Sequence, residues 1–170
     1  MTTMFSYTVE TYVRGLTNLQ NFLTKAETFA KEKKFDLDTL LQSRLAPDMY
    51  PLVKQIQVAS DTAKGTVARL CGKQPPVFED KEKTFAEIRT RVTKTIDYVK
   101  TFKDTDFKNC EDRRIDLPWA EGKWMHAGQY VPEMALPNFY FHLSMAYGIL
   151  RHNGVDLGKM DFIGNVNING

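Results

Sequence analysis

Apolar residues recur along the first stretch of the chain at Phe5, Val9, Tyr12, Val13, Leu16, Leu19, Leu23, Ala26 and Ala30. Steps of three and four place them on one stripe of a helix over residues 4–31. The KEKK run that follows sets cations against the negative pole of that helix. In the connector, Asp36 or Asp38 is placed to cap a helical turn through Leu40 and Leu41. Pro47 and Pro51 then interrupt the pattern. Asp48 is the expected cap of a second helix over residues 50–70, with Pro51 tolerated in its first turn. Gly72 stops it, and QPPVFED reads as an extended link because neither proline continues a helix. A third helix over residues 82–102 gathers Phe85, Ile88, Val92, Ile96, Val99 and Phe102 on one face. Its opposite face of Lys, Arg, Glu and Thr reads as solvated.

Beyond Asp112 the period changes to two, with Ile115, Leu117 and Trp119 alternating as in a strand. A short hairpin is expected, with Gly122 in its turn and Pro118 confining the first strand to an edge. A lone hairpin is marginal, so Trp119 and Trp124 should lean on the helices. A final apolar helix covers residues 131–152, with Asn153 or Gly154 as its left-handed stop. The polar stretch beyond Asp161, ending GNVNING, reads as loosely ordered. The pattern as a whole predicts an all-α four-helix bundle with a short β-hairpin before the last helix. The bundle forms one domain over residues 1–164, with residues 165–170 as a polar tail.

Composition narrows the function. With 170 residues, 42% of them hydrophobic and 26% charged, the chain is globular and supports a real core without metal or disulfide staples. A net charge of +2 does not announce a nucleic-acid partner. Lys94, Lys100 and Lys103 edge the third helix without interleaved aromatics or a recognition motif. The first fifteen residues lack the marks of a signal peptide, and no run approaches the ~20 apolar residues of a membrane span. Cys71 and Cys110 form no CxxC pair and read as free thiols. The expectation is a soluble cytoplasmic protein with neither a nucleic-acid nor a membrane partner.

Candidate chemistry sits on two helices. On the last, Pro137 removes a backbone donor inside the apolar run and should kink or restart the helix. Asn138 and His142 follow, four residues apart, about 40° around the axis and roughly 6 Å along it, so both can aim at one point. On the second helix Gln57 and Asp61 are also four apart, beside an apolar face of Leu52, Ile56, Ala59 and Ala63. A hydrogen-bonded cluster of Gln57, Asp61, Asn138 and His142, or a divalent ion, would satisfy all four. The competing reading makes Asn138 a helix cap, His142 a hydrogen-bonded core histidine and Asp61 a solvated carboxylate. The other histidines do not extend the set. His152 lies about 15 Å along the helix from His142, and His126 falls in the hairpin. No HExxH, Gly-rich phosphate loop or GxSxG elbow is present.

The segments RGLTNLQNFLTKAE, RLAPDMYPLVKQIQVASDTAKG, FAEIRTRVTKTIDYV and ALPNFYFHLSMAYGILRHNG resemble the DinB/YfiT-like metalloenzyme superfamily, and within it a subfamily of bacterial proteins of unknown function. The resemblance spans about residues 4–164. It implies an up-down-down-up bundle, frequent dimerisation, and a divalent ion such as zinc or nickel on three histidines. One of these lies on the second helix and two, spaced HxxxH, on the last. His142 matches the final histidine; Asn138 stands at the histidine position four before it, and Gln57 falls at or near the second-helix position. Carboxamides are poorer ligands for these metals than imidazoles.

Two functions follow from this resemblance. One is a bundle that binds a small molecule, or keeps a vestigial polar site, between its second and last helices. The other is a metal-dependent transferase or hydrolase, of the thiol-transferase kind, with His142 as ligand or base. Phe139, Tyr140, Phe141 and Tyr147 would line the pocket or supply ordinary core and dimer packing.

Overall fold

A computed structural model of the chain describes residues 3–117 and 119–166. The first amphipathic stretch opens with a π turn over Ser6–Glu10 and continues as α1 (Thr11–Lys33). Tyr12, Leu16, Leu19, Phe22, Leu23 and Ala26 are buried along its inner stripe. In the connector, Asp36 accepts a hydrogen bond from the Asp38 amide and opens a 3-10 turn over Leu37–Gln42.

The second helix, α2 (Leu52–Leu70), differs at its start from the expected form. Pro51, not Asp48, is the capping residue, in extended backbone with ψ 166°, and no side chain caps the helix. The Leu52 amide instead donates to the Ser43 carbonyl over 2.9 Å. A backbone acceptor from the preceding turn does the work assigned to the aspartate. At the other end Gly72 adopts φ +66°, where a left-handed residue releases the chain.

α3 (Phe85–Lys100) begins at a capping box, with Thr84 accepting from the Glu87 amide and the Glu87 carboxylate accepting from the Thr84 amide. Its polar face is not wholly solvated as expected. Arg91 is only 3% exposed and Thr95 is fully buried.

The hairpin consists of β1 (Arg114–Asp116) and β2 (Trp124–His126), paired antiparallel with Ile115 opposite Met125. Gly122 occupies its turn at φ +71°. The expected role of Pro118 lies outside the described residues. The tryptophans are not buried against the helices as expected but stay largely exposed, Trp119 at 59% and Trp124 at 43%. Ile115 is the buried anchor, and the amides of Ala127 and Gly128 tie the hairpin down by donating to the Arg113 and Glu111 carbonyls.

The last long helix starts earlier than expected, as α4 (Ala127–Tyr130). It passes through a π turn over Val131–Ala135 and resumes as α5 (Leu136–His152). The π turn inserts one extra residue, so α-helical register restarts with Pro137 in a first turn, where its missing donor is not needed. Gly154, at φ +97°, supplies the left-handed stop, and Asn153 does not. The chain beyond it is more ordered than its polarity suggests. A short α6 (Lys159–Ile163) sets Phe162 against Phe22 and Tyr147, and the Asn18 amide donates to the Phe162 carbonyl over 2.8 Å. Of the expected 165–170 tail, residues 167–170 lie outside the described residues.

Cross-helix bonds fix the directions. Lys54 meets Asp80 and Asp61 meets Arg91, so α2 and α3 run parallel. Gln20 reaches Thr93 while Glu27 reaches Arg89, so α1 and α3 are antiparallel. Tyr12 packs on Phe139 and Phe22 on Tyr147, so α1 and α5 are parallel. The result is an all-α, up-down-down-up four-helix bundle in which α2 lies between α3 and α5.

Candidate functional site

Gln55, Thr62 and Arg69 recur every seven residues along α2. Seven residues are nearly two turns, so the three form a stripe that drifts only ~20° per step. Each meets one polar group of the antiparallel last helix. The Gln55 Oε1 lies 2.7 Å from His142 Nδ1, and the Asn138 Nδ2 donates to Thr62 Oγ1 over 2.7 Å. Arg69 Nη1 reaches the Tyr130 hydroxyl at 3.5 Å.

The His142 tautomer follows from its neighbours. Gln55 Nε2 donates to the Tyr50 carbonyl over 3.0 Å, which turns Oε1 toward the imidazole. Nδ1 therefore carries the proton and donates. His142 is 7% exposed, and burial holds its pKa below the usual histidine range, so the ring is neutral at pH 7.

The opposite side of α2 carries charge. Arg91 of α3 lies within 2.7 Å of Asp61, 3.0 Å of Asp80 and 2.8 Å of Glu82. Lys64 lies 3.0 Å from the same Asp61 oxygen, Lys54 pairs with Asp80, and Gln57 Nε2 donates to Glu82 over 2.9 Å. Burial opposes the Arg91 charge, but Glu82, Asp61 and Asp80 outweigh it and raise its pKa above the usual arginine value. Burial also acts to raise the Asp80 carboxyl, and Lys54 and Arg91 prevail to hold it below the carboxylate range.

The four side chains expected in one cluster therefore separate. Asn138 and His142 share a helix face, but each bonds to a different residue of α2. Gln57 faces α3, because it lies about 200° around the helix from Gln55, the residue that meets His142. Asp61 sits between the two faces, bonded to α3 yet lining the cleft toward α5. The aromatics go elsewhere: Phe139 packs on Tyr12, Tyr147 donates to the Leu157 carbonyl, and Phe141 is exposed.

That cleft, about 420 Å³, opens between α2 and the α4–α5 segment. Asp61, Thr62, Arg69, Tyr130 and Asn138 provide its polar lining, and Val58, Met134 and Trp119 its apolar walls. A second hollow of about 490 Å³ runs along α3 past Phe78, Glu82 and Arg91, but there both Glu82 and Arg91 are already paired. Sequence reasoning missed Gln55, Thr62 and Arg69. The seven-residue polar spacing was their signal.

The residues present do not fit the divalent ion that the histidine pattern implies. His142 is the one imidazole at the site, and the Asn138 amide is turned toward Thr62. No group of three or more His, Cys, Asp or Glu suited to an ion occurs among the described residues. The thiols offer no activated nucleophile either: burial pushes Cys71 up to about 11 and raises Cys110. No helix among the described residues is long and apolar enough to cross a membrane.

Residues 4–163 match the model of a family described as "Domain of unknown function (DUF1993)". The crystal structure of a DinB family member protein from Shewanella denitrificans is 43% identical and superposes with a TM-score of 0.94. The match covers 98% of this chain and 95% of that one. No curated protein matches the chain.

Proposed function

The chain belongs to the DinB family and to the DUF1993 family within which its residues match, and from that premise we propose that it binds a small molecule between α2 and the last helix. The observation that carries this reading is the cleft of about 420 Å³, whose wall combines a guanidinium, a carboxylate, a carboxamide and two hydroxyls with an exposed tryptophan. Ligand sites have this size and this mix of apolar walls with a few convergent polar groups. The helices on either side are held by buried packing and by the Gln55–His142 bond, so the polar groups are positioned before a ligand arrives. In this reading His142 orients α5 and does not touch the ligand.

The test is an NMR fragment screen that follows the Asn138 side-chain amide and the Trp119 indole. Binders should shift both resonances, and Asn138→Ala should weaken them. A screen in which no fragment moves either resonance would reject the reading. Metal analysis of protein purified without chelator tests the family's metal chemistry separately. Stoichiometric zinc or nickel, lost in His142→Ala with little change in melting temperature, would replace ligand binding with a metal-dependent function.

A further inference from the structure

Arg69 and Arg91 bear the same charge in opposite circumstances. Arg91 has a carboxylate oxygen within 3.0 Å on each of Asp61, Asp80 and Glu82. Arg69 pairs with no carboxylate among the described residues, and its contact with the Tyr130 hydroxyl is long at 3.5 Å. The other charged side chain of the cleft does not neutralise it, because one Asp61 oxygen already lies 2.7 Å from Arg91 and 3.0 Å from Lys64. The cleft therefore carries an uncompensated positive charge at Arg69.

The sequence also makes room for that charge. Gly65 sits inside α2, where glycine is less favourable than alanine by about 1 kcal/mol. Its φ is not positive, so the backbone does not require glycine. A β-carbon there would lie 2.7 Å from Arg69 Nη1 and 3.3 Å from its Cζ. The guanidinium thus occupies space that a side chain at position 65 would contest, and Arg69 lines the cleft.

Resting on the small-molecule reading above, we propose that Arg69 is the anion-recognition residue of the cleft and that its ligand carries a carboxylate or phosphoryl group on a flat apolar body. The guanidinium matches either oxyanion with two parallel hydrogen bonds. Tyr130 stands beside it as a further hydroxyl donor, and Trp119 forms the apolar wall for the remainder of the ligand.

The test titrates the full chain with benzoate, phenyl phosphate and neutral benzamide, following the Arg69 Nε–H and Asn138 amide resonances. At least one anion should bind, more weakly as salt rises, and the stronger of the two identifies the source of the oxyanion. Arg69→Gln should weaken that anion roughly 10- to 100-fold, as expected for loss of a charged hydrogen bond, and Arg69→Lys should recover part of the loss. Gly65→Ala, which displaces the guanidinium and leaves its charge in place, should also weaken binding. Melting temperatures of the variants separate loss of recognition from loss of fold. Benzamide binding as tightly as benzoate, or an anion indifferent to Arg69→Gln, overturns the proposal and leaves the cleft a ligand site. Failure of all three probes to move either resonance overturns the proposal, and the fragment screen then decides the cleft itself.

Discussion

The two faces of α2 solve the burial of polar groups differently. Toward α3, charge meets charge: Arg91, Lys54 and Lys64 are balanced by Asp61, Asp80 and Glu82, and Gln57 joins the network. Toward α5 the partners are mostly neutral and paired one to one, as Gln55 with His142 and Thr62 with Asn138, and Arg69 is left over. On the first face the cations and carboxylates balance one another, whereas a face of neutral pairs around one uncompensated cation leaves a charge for a ligand. The face with more charge is therefore scaffold, and the face with less is the candidate site.

Removing cations should break this contrast most sharply. Arg91→Ala leaves Glu82 without a cation and takes one of two cations from Asp61 and from Asp80, and should lower stability by about 3 kcal/mol in urea unfolding, at the low end for a buried pair because Lys64 and Lys54 remain and Asp61 and Asp80 are partly solvated. An effect below about 1 kcal/mol would mean the network is not closed as described. Gln55→Leu leaves the buried His142 donor without an acceptor and should cost about 2 kcal/mol by the same measurement. Thr62→Val removes a half-buried neutral bond and should cost about 1 kcal/mol.

Acid should separate the faces by pH. The folded state resists protonating buried His142, so the unfolded chain takes up that proton first. Stability is full above the ordinary histidine value of 6.5 and falls as pH drops below it toward the folded pKa. Asp80 has the carboxylate form of the same linkage. Its contribution is full above its ordinary 3.8 and is lost only as pH falls further. Urea midpoints should therefore decline in two stages, and His142→Leu should abolish the first. The smallest effect belongs to Arg69→Gln, which should change stability by less than about 0.5 kcal/mol because no carboxylate among the described residues depends on it.

Much of the bundle was legible because helical periodicity is a local signal. The stripe from Tyr12 to Ala30 and the row from Phe85 to Val99 both became buried faces of helices. Local reasoning failed where a distant group changed a residue's surroundings. Arg91 sits among Lys, Arg, Glu and Thr in sequence, yet Asp61, Asp80 and Glu82 draw it into the interior. Phe162 follows a polar run, yet Phe22 and Tyr147 give it a place to pack. At the site, Asn138 and His142 were visible from their spacing. Their partners were not, because a two-residue shift from Gln57 to Gln55 turns a side chain to the far side of the helix.

The sequence by itself determined the four long helices, the stop at Gly72, a stop at Asn153 or Gly154, and the polar residues carried by α2 and α5. Those properties depend on backbone preference and on spacing within one segment. Only the tertiary structure decided which polar residues meet, since hydrogen bonds and ion pairs form over about 3 Å and helix rotation sets which side chains come that close. That rotation closed the network on Arg91 and left Arg69 facing the cleft without a carboxylate among the described residues.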